Sequence, residues 1–151
     1  MNYRYVSIDN LAELQHDVIS VLPDRFKTQG ILGWVGNSPT ESRDFFLNIP
    51  SVRTALEKLN LVDHVSSVHV ITTMGKVTTN IHLDIGPFKL SLNIPIQSCN
   101  DTHVNIYSSS VEPLYYNSGK NVSYTYREAD CKLIDTCVTD QPYVLDTTVP
   151  H

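Results

Sequence analysis

Asn80-Ile81-His82-Leu83-Asp84 sets an imidazole and a carboxylate two positions apart, with the apolar Ile81 and Leu83 alternating against them. In an extended strand, side chains two apart share a face. His82 and Asp84 would then converge on one point while Ile81 and Leu83 face a core. Together they supply two-thirds of a two-histidine, one-carboxylate iron site, whose remaining coordination positions stay open for oxygen and a cosubstrate. A third ligand must come from far along the chain, and the last residue is His151. The plainer reading of a His-x-Asp pair is a surface hydrogen bond.

Several elements must position these residues. Leu11, Leu14, Val18, Ile19 and Leu22 recur at helical spacing, with Ser7 or Asp9 as the cap and Pro23 as the stop. A second helix is predicted from Ser51 to Leu59, capped by Ser51, with Val52, Leu56 and Leu59 as its buried stripe. Between them, the glycines around Trp34 predict a loop or a short irregular strand. From Val65 onward the chain is rich in Val, Ile, Thr and Tyr. Strands are predicted over Val65 to Thr73, Val77 to Asp84, Phe88 to Ile96 and Thr102 to Tyr107, with turns at Gly75 and Gly86-Pro87. Further short strands are expected at Ser123 to Arg127, Lys132 to Ile134 and Tyr143 to Asp146, after a polar, Tyr-rich loop over Val111 to Ser123. The class is α+β, and many short strands at close spacing suggest a sandwich, barrel or jelly roll.

The composition narrows the function. The 151 residues predict a single domain, with a helical N-terminal layer over 1–62 and a β-rich core over 63–151. The formal charge of −5 and the scattered basic residues argue against a nucleic-acid binder. No apolar run reaches bilayer length and no signal peptide opens the chain, so a cytoplasmic protein without a membrane partner is expected. Cys99, Cys131 and Cys137 read as reduced thiols without zinc-knuckle spacing. A hydrolase is disfavoured, because there is no Gly-x-Ser-x-Gly motif.

Three stretches carry a resemblance. Ile81-His82-Leu83-Asp84, Leu90-Ser91-Leu92-Asn93-Ile94-Pro95-Ile96 with the following Gln97-Ser98-Cys99-Asn100, and Pro142-Tyr143-Val144-Leu145-Asp146-Thr147-Thr148-Val149-Pro150-His151 resemble the core of Fe(II)- and 2-oxoglutarate-dependent oxygenases. The likeness is to the aspartyl/asparaginyl β-hydroxylase-like group and its small bacterial and phage members, and it spans the second half of the chain. It implies a double-stranded β-helix (a cupin-like jelly roll) with N-terminal helices. It further implies iron held by His82, Asp84 and His151, 2-oxoglutarate as a small-molecule cosubstrate, and dioxygenase chemistry that hydroxylates a C–H bond of an unidentified substrate. In that family an arginine about ten residues beyond the distal histidine clamps the far carboxylate of 2-oxoglutarate in a bidentate contact. The sequence ends at His151, so that strand and arginine are expected to be missing. The alternative expectation is therefore a cupin-like binding or structural module that keeps the fold with reduced or no activity.

Other residues are secondary candidates. Lys89 shares a predicted strand face with Ser91 and Asn93; Lys89 and Asn93 are candidate cosubstrate contacts, the bland reading of Lys89 being a solvated strand lysine. His103 and Tyr107 share a face and are candidate substrate contacts, with His103 also a substitute for His151 as ligand. Trp34 is a candidate substrate lip or, more plainly, a core anchor.

Overall fold

The computed structural model describes residues 1–73, 78–84, 89–97, 101–117 and 122–151. The expected turns at Gly75 and Gly86-Pro87, the strand start at Phe88 and the thiol of Cys99 lie outside them. In chain order the elements are β1 (Tyr3–Tyr5), α1 (Leu11–Val21), α2 (Arg25–Thr28), β2 (Ile31–Gly33), α3 (Pro39–Leu47), α4 (Pro50–Lys58) and β3 (Val70–Thr72). They continue with β4 (His82–Leu83), β5 (Leu90–Asn93), β6 (His103–Ser109), β7 (Leu114–Asn117), β8 (Val122–Thr125), β9 (Cys131–Val138) and β10 (Tyr143–Asp146). The fold is mixed α+β, its strands joined in small antiparallel sheets. Among the described residues, no helix is long and apolar enough to cross a membrane.

Two compact units emerge, Ile8–Val77 and a second made of Met1–Ser7 with Thr78–His151. In the first, α1 buries Leu14 and Val18 and α4 buries Val52 and Leu56 of the predicted stripes; α4 also buries Ala55, while Leu59 is the half-buried C-cap residue. The caps differ from expectation. Asn10 occupies the cap position of α1 without a side-chain cap bond. Ser51 lies inside the first turn of α4, behind Ile49 at the cap and Pro50 at the first helical position. Its hydroxyl is used elsewhere, donating to Asp17 Oδ2 at 2.7 Å. Helix α3 was missed, although Ser38-Pro39-Thr40-Glu41 is a capping box with proline at the first turn. Ser38 Oγ accepts from the Glu41 amide at 3.1 Å, and Glu41 Oε2 accepts from the Asn37 amide at 3.0 Å. The predicted strand over Val65 to Thr73 shrinks to β3, which pairs with β2.

In the second unit, β10 lies between β1 and β5. Tyr143 and Leu145 of β10 are buried with Ile106 of β6 and Cys137 of β9; Tyr3, Val104 and Val149 pack around them. This cluster is the core of the unit, and burial pushes the Cys137 thiol up from its ordinary pKa. Ser91 and Asn93 stand opposite Leu145 and Tyr143 in the ladder. Opposite residues share a face, so the polar alternates of β5 point the same way as the buried pair, while Leu90 is exposed. The Tyr-rich loop expected over Val111 to Ser123 instead contains β7, which pairs as an antiparallel hairpin with β8, the counterpart of the strand predicted over Ser123 to Arg127; the ladder continues into β4. Cross-strand tyrosine contact helps to hold it: the Tyr115 and Tyr124 rings lie 5.3 Å apart.

Candidate metal centre

His82 is held from both sides. On one side β4 pairs with β8, His82 opposite Thr125. On the other, His82 and His151 exchange both backbone bonds, with His82 N–H donating to His151 O at 2.9 Å and His151 N–H donating to His82 O at 3.1 Å. Such an exchange defines a hydrogen-bonded antiparallel pair, whose Cα atoms lie about 5.5 Å apart. One residue earlier, Pro150 O accepts from the Tyr107 amide at 2.9 Å. Proline has no N–H to return the bond. Pro150 and His151 therefore link β4 of the β4–β8–β7 sheet to β6 of the β6–β9 pair through backbone bonds.

A turn aims that segment. Asp146 Oδ1 accepts from the Thr148 amide at 2.9 Å and from Thr148 Oγ1 at 2.6 Å. These bonds, chiefly that of the hydroxyl, hold the Asp146 carboxyl below its ordinary pKa, with the Lys89 charge adding to the effect. The Thr147 amide donates to Lys89 O at 3.0 Å, and the Thr147 residue itself is buried. The Asp-Thr-Thr-Val-Pro-His ending thus has a physical reading. Aspartate and threonine close the turn, valine packs on the core, proline accepts from β6 and histidine reaches β4.

The two imidazoles are oriented alike. His82 Nδ1 lies 2.8 Å from Asn80 O, and His151 Nδ1 lies 2.9 Å from Val149 O. A carbonyl oxygen only accepts, so each Nδ1 carries the proton. In the neutral ring the Nε2 lone pair is then left available, the usual way a ligand histidine is fixed. Both Nε2 atoms face one carboxylate: His82 Nε2 is 3.6 Å from Asp84 Oδ1 and His151 Nε2 is 3.9 Å from Asp84 Oδ2. The ring centroids are 4.6 Å apart. One donor atom from each residue lies within 4.8 Å of the others.

The donor set suits a divalent metal. Metal–ligand bonds of about 2.1 Å place donors at right angles about 3.0 Å apart. The observed separations are somewhat wider, and the ligand with most room to adjust is Asp84, whose side chain is 51% exposed against 9% for His151. Two imidazoles and a carboxylate match the residue types of a facial triad.

The other candidates fall elsewhere. Lys89 is exposed and adjoins the Asp146 turn through its own carbonyl. Asn93 is half-buried and donates to Ser91 Oγ at 2.9 Å. His103 is exposed at the start of β6. Alternation along β6 places His103, Asn105 and Tyr107 on the face opposite Val104 and Ile106, and the Tyr107 hydroxyl accepts from Asn105 Nδ2 at 3.4 Å. His103 does not join the donor cluster. Trp34 belongs to the Ile8–Val77 unit and stacks on His69 with ring centroids 5.7 Å apart. The backbone pins from Asn80 and Val149 were not anticipated, and residue types alone carry no signal for them. Compared with protein-family models, curated proteins and solved structures, the chain finds no match in any of the three.

Proposed function

We propose that this protein is a non-haem Fe(II), 2-oxoglutarate-dependent oxygenase that hydroxylates a C–H bond, with His82, Asp84 and His151 as the iron ligands on a double-stranded β-helix. One observation carries the reading: two histidines remote in sequence are paired across a ladder, and each is pinned through Nδ1 so that both Nε2 atoms address the same carboxylate. Ferrous iron in such a triad would supply oxygen activation, with open positions for a bidentate cosubstrate. The chain's own contribution is orientation. The turn at Asp146 delivers His151, β8 and the 149–151 segment brace β4 from both edges, and the half-exposed Asp84 closes the set.

The jelly-roll reading is supported by the ladder through residues 149–151, whose β6 and β9 share a core with β10 of the β1–β10–β5 sheet. In this reading the cosubstrate contacts would be Lys89 and Asn93. Ser91 and Asn93 share the side of Tyr143 and Leu145, and Lys89 would bring a positive charge for a carboxylate.

Anaerobic titration tests this function. Fe(II) together with 2-oxoglutarate is expected to give a visible charge-transfer absorption that neither gives alone. His82→Ala and Asp84→Ala should abolish it. Metal binding without the band would leave a metal-binding module, and an unchanged band in the variants would remove these residues from the site.

A further inference from the structure

The ladder that holds His82 does not stop at the metal triad. His82 stands opposite Thr125, and Thr125 stands opposite Leu114. One pleat along, Ser123 stands opposite Tyr116, and alternation along the strand places Asp84 in the same row. Directly opposite residues project from the same face. The face that carries the two strand ligands therefore continues outward as a row of hydroxyls, Thr125 and Ser123, and then as an apolar edge, Leu114 and Tyr116. Tyr115 and Tyr124 occupy the other face, as their ring contact shows.

This arrangement has the properties of a binding platform. Thr125 and Ser123 are half-buried, and neither hydroxyl is engaged by another side chain among the described residues. Leu114 is 50% and Tyr116 61% exposed. Adjacent strands lie about 4.8 Å apart, so β7 sits about 10 Å from β4 measured across the sheet.

We propose that this row is the substrate platform of the site, and that the substrate is an elongated amphipathic molecule. It presents its reacting carbon at the triad, hydrogen-bonds through a polar middle to Thr125 and Ser123, and ends in an apolar or aromatic group over Leu114 and Tyr116. The proposal rests on the metal-centre reading above and extends it by fixing the chemical class of the substrate and its direction of approach. Continuity with the ligand face selects a substrate over a second copy of the chain as the occupant.

A chelating ruler separates the two claims. The full chain is loaded with Co(II) and titrated with acetohydroxamate, benzohydroxamate, 3-phenylpropanohydroxamate and 6-phenylhexanohydroxamate, following the cobalt absorption. The hydroxamate end occupies the metal and the phenyl end probes the platform. Affinity should rise at the length that carries the phenyl about 10 Å from the metal, by about tenfold over acetohydroxamate for burial of a ring on an apolar surface. Tyr116→Ala and Leu114→Ala should each remove most of that gain and leave acetohydroxamate binding unchanged. The exposed positions make these variants tolerant, and the unchanged short-probe affinity reports that the site is intact. Equal affinities along the series, or a gain untouched by both variants, would overturn the platform while leaving the metal centre standing. A Tyr116→Ala change that altered only the oligomeric state would reassign the face to a second copy. Failure of Co(II) or acetohydroxamate to bind at all would instead overturn the metal reading.

Discussion

Buried serines of the Ile8–Val77 unit and the paired histidines of the other unit use their polar atoms differently. In the Ile8–Val77 unit, Ser42 and Ser51 are consumed by the fold. Ser42 is fully buried; its hydroxyl donates to Val68 O at 2.6 Å and accepts from the Val35 amide at 3.1 Å. Ser51 is likewise buried and bonded to Asp17. In the unit built from Met1–Ser7 and Thr78–His151, by contrast, His82 and His151 use one ring nitrogen for the fold and turn the other toward Asp84. A buried polar group whose hydrogen-bonding capacity is saturated contributes structure. A pair of histidines with half of that capacity satisfied by backbone, and the remainder converging on a carboxylate, could hold a metal ion.

This contrast is testable, beginning with the largest effect. Asp84→Asn should weaken Co(II) or Fe(II) binding by more than about 100-fold, beyond the 10- to 100-fold typical of losing an outer partner of a ligand. Calorimetric or competition titration measures it, and the circular dichroism spectrum should stay as in the parent. Loss of structure together with metal affinity would mean that Asp84 belongs to the fold.

Ser42→Ala should behave in the reverse manner. It strands a buried amide and a carbonyl, and should lower unfolding stability by about 1–3 kcal/mol in urea denaturation while metal affinity is kept. A drop in metal affinity would break the division between the two kinds of polar group.

The turn at Asp146 lies between these extremes, because it is structural but leads into His151 of the donor cluster. Asp146→Ala should reduce metal affinity by about tenfold. The pH dependence has a definite sign. The folded carboxyl titrates below its unfolded value near 3.9, so its contribution to stability is present above that value and lost as pH falls through the folded pKa. The stability difference between parent and Asp146→Ala should therefore be full at neutral pH and vanish in strong acid. A difference that grew on acidification would refute the assignment.

The smallest effect concerns the edge of β9. The Tyr5 hydroxyl donates to Val138 O and accepts from the Val138 amide, each at 3.1 Å. Tyr5→Phe should cost about 0.5–1.5 kcal/mol, read from the shift of the denaturation midpoint, with metal binding unaltered.

The legible parts of this chain are those governed by local periodicity. The stripes of α1 and α4 and the shared face of His82 and Asp84 follow from repeats of 3.6 and 2 residues, which need no knowledge of neighbours. Tyr143 to Asp146 was also readable as a strand, and its bounds agree with β10. Where a local signal was present but unused, as at Ser38-Pro39-Thr40-Glu41, a helix was missed. Strand β8 overlaps the strand predicted over Ser123 to Arg127, whereas its hairpin partner β7 was hidden for another reason. Polar and tyrosine-rich segments become strands when a partner strand supplies the hydrogen bonds, and the sequence alone does not name that partner.

What the amino-acid order determined by itself is thus the convergence of one imidazole and one carboxylate on a strand face, because alternation is a property of an extended backbone. Only the tertiary structure decided that His151 completes the set, that both rings are pinned through Nδ1, and that β5 turns its polar side the same way as Tyr143 and Leu145. Those are matters of which strands lie side by side and in what register. Pairing between segments far apart in sequence is fixed by the hydrogen-bond ladder and the shared core, and a shift of one residue in that register would carry His151 to the opposite face.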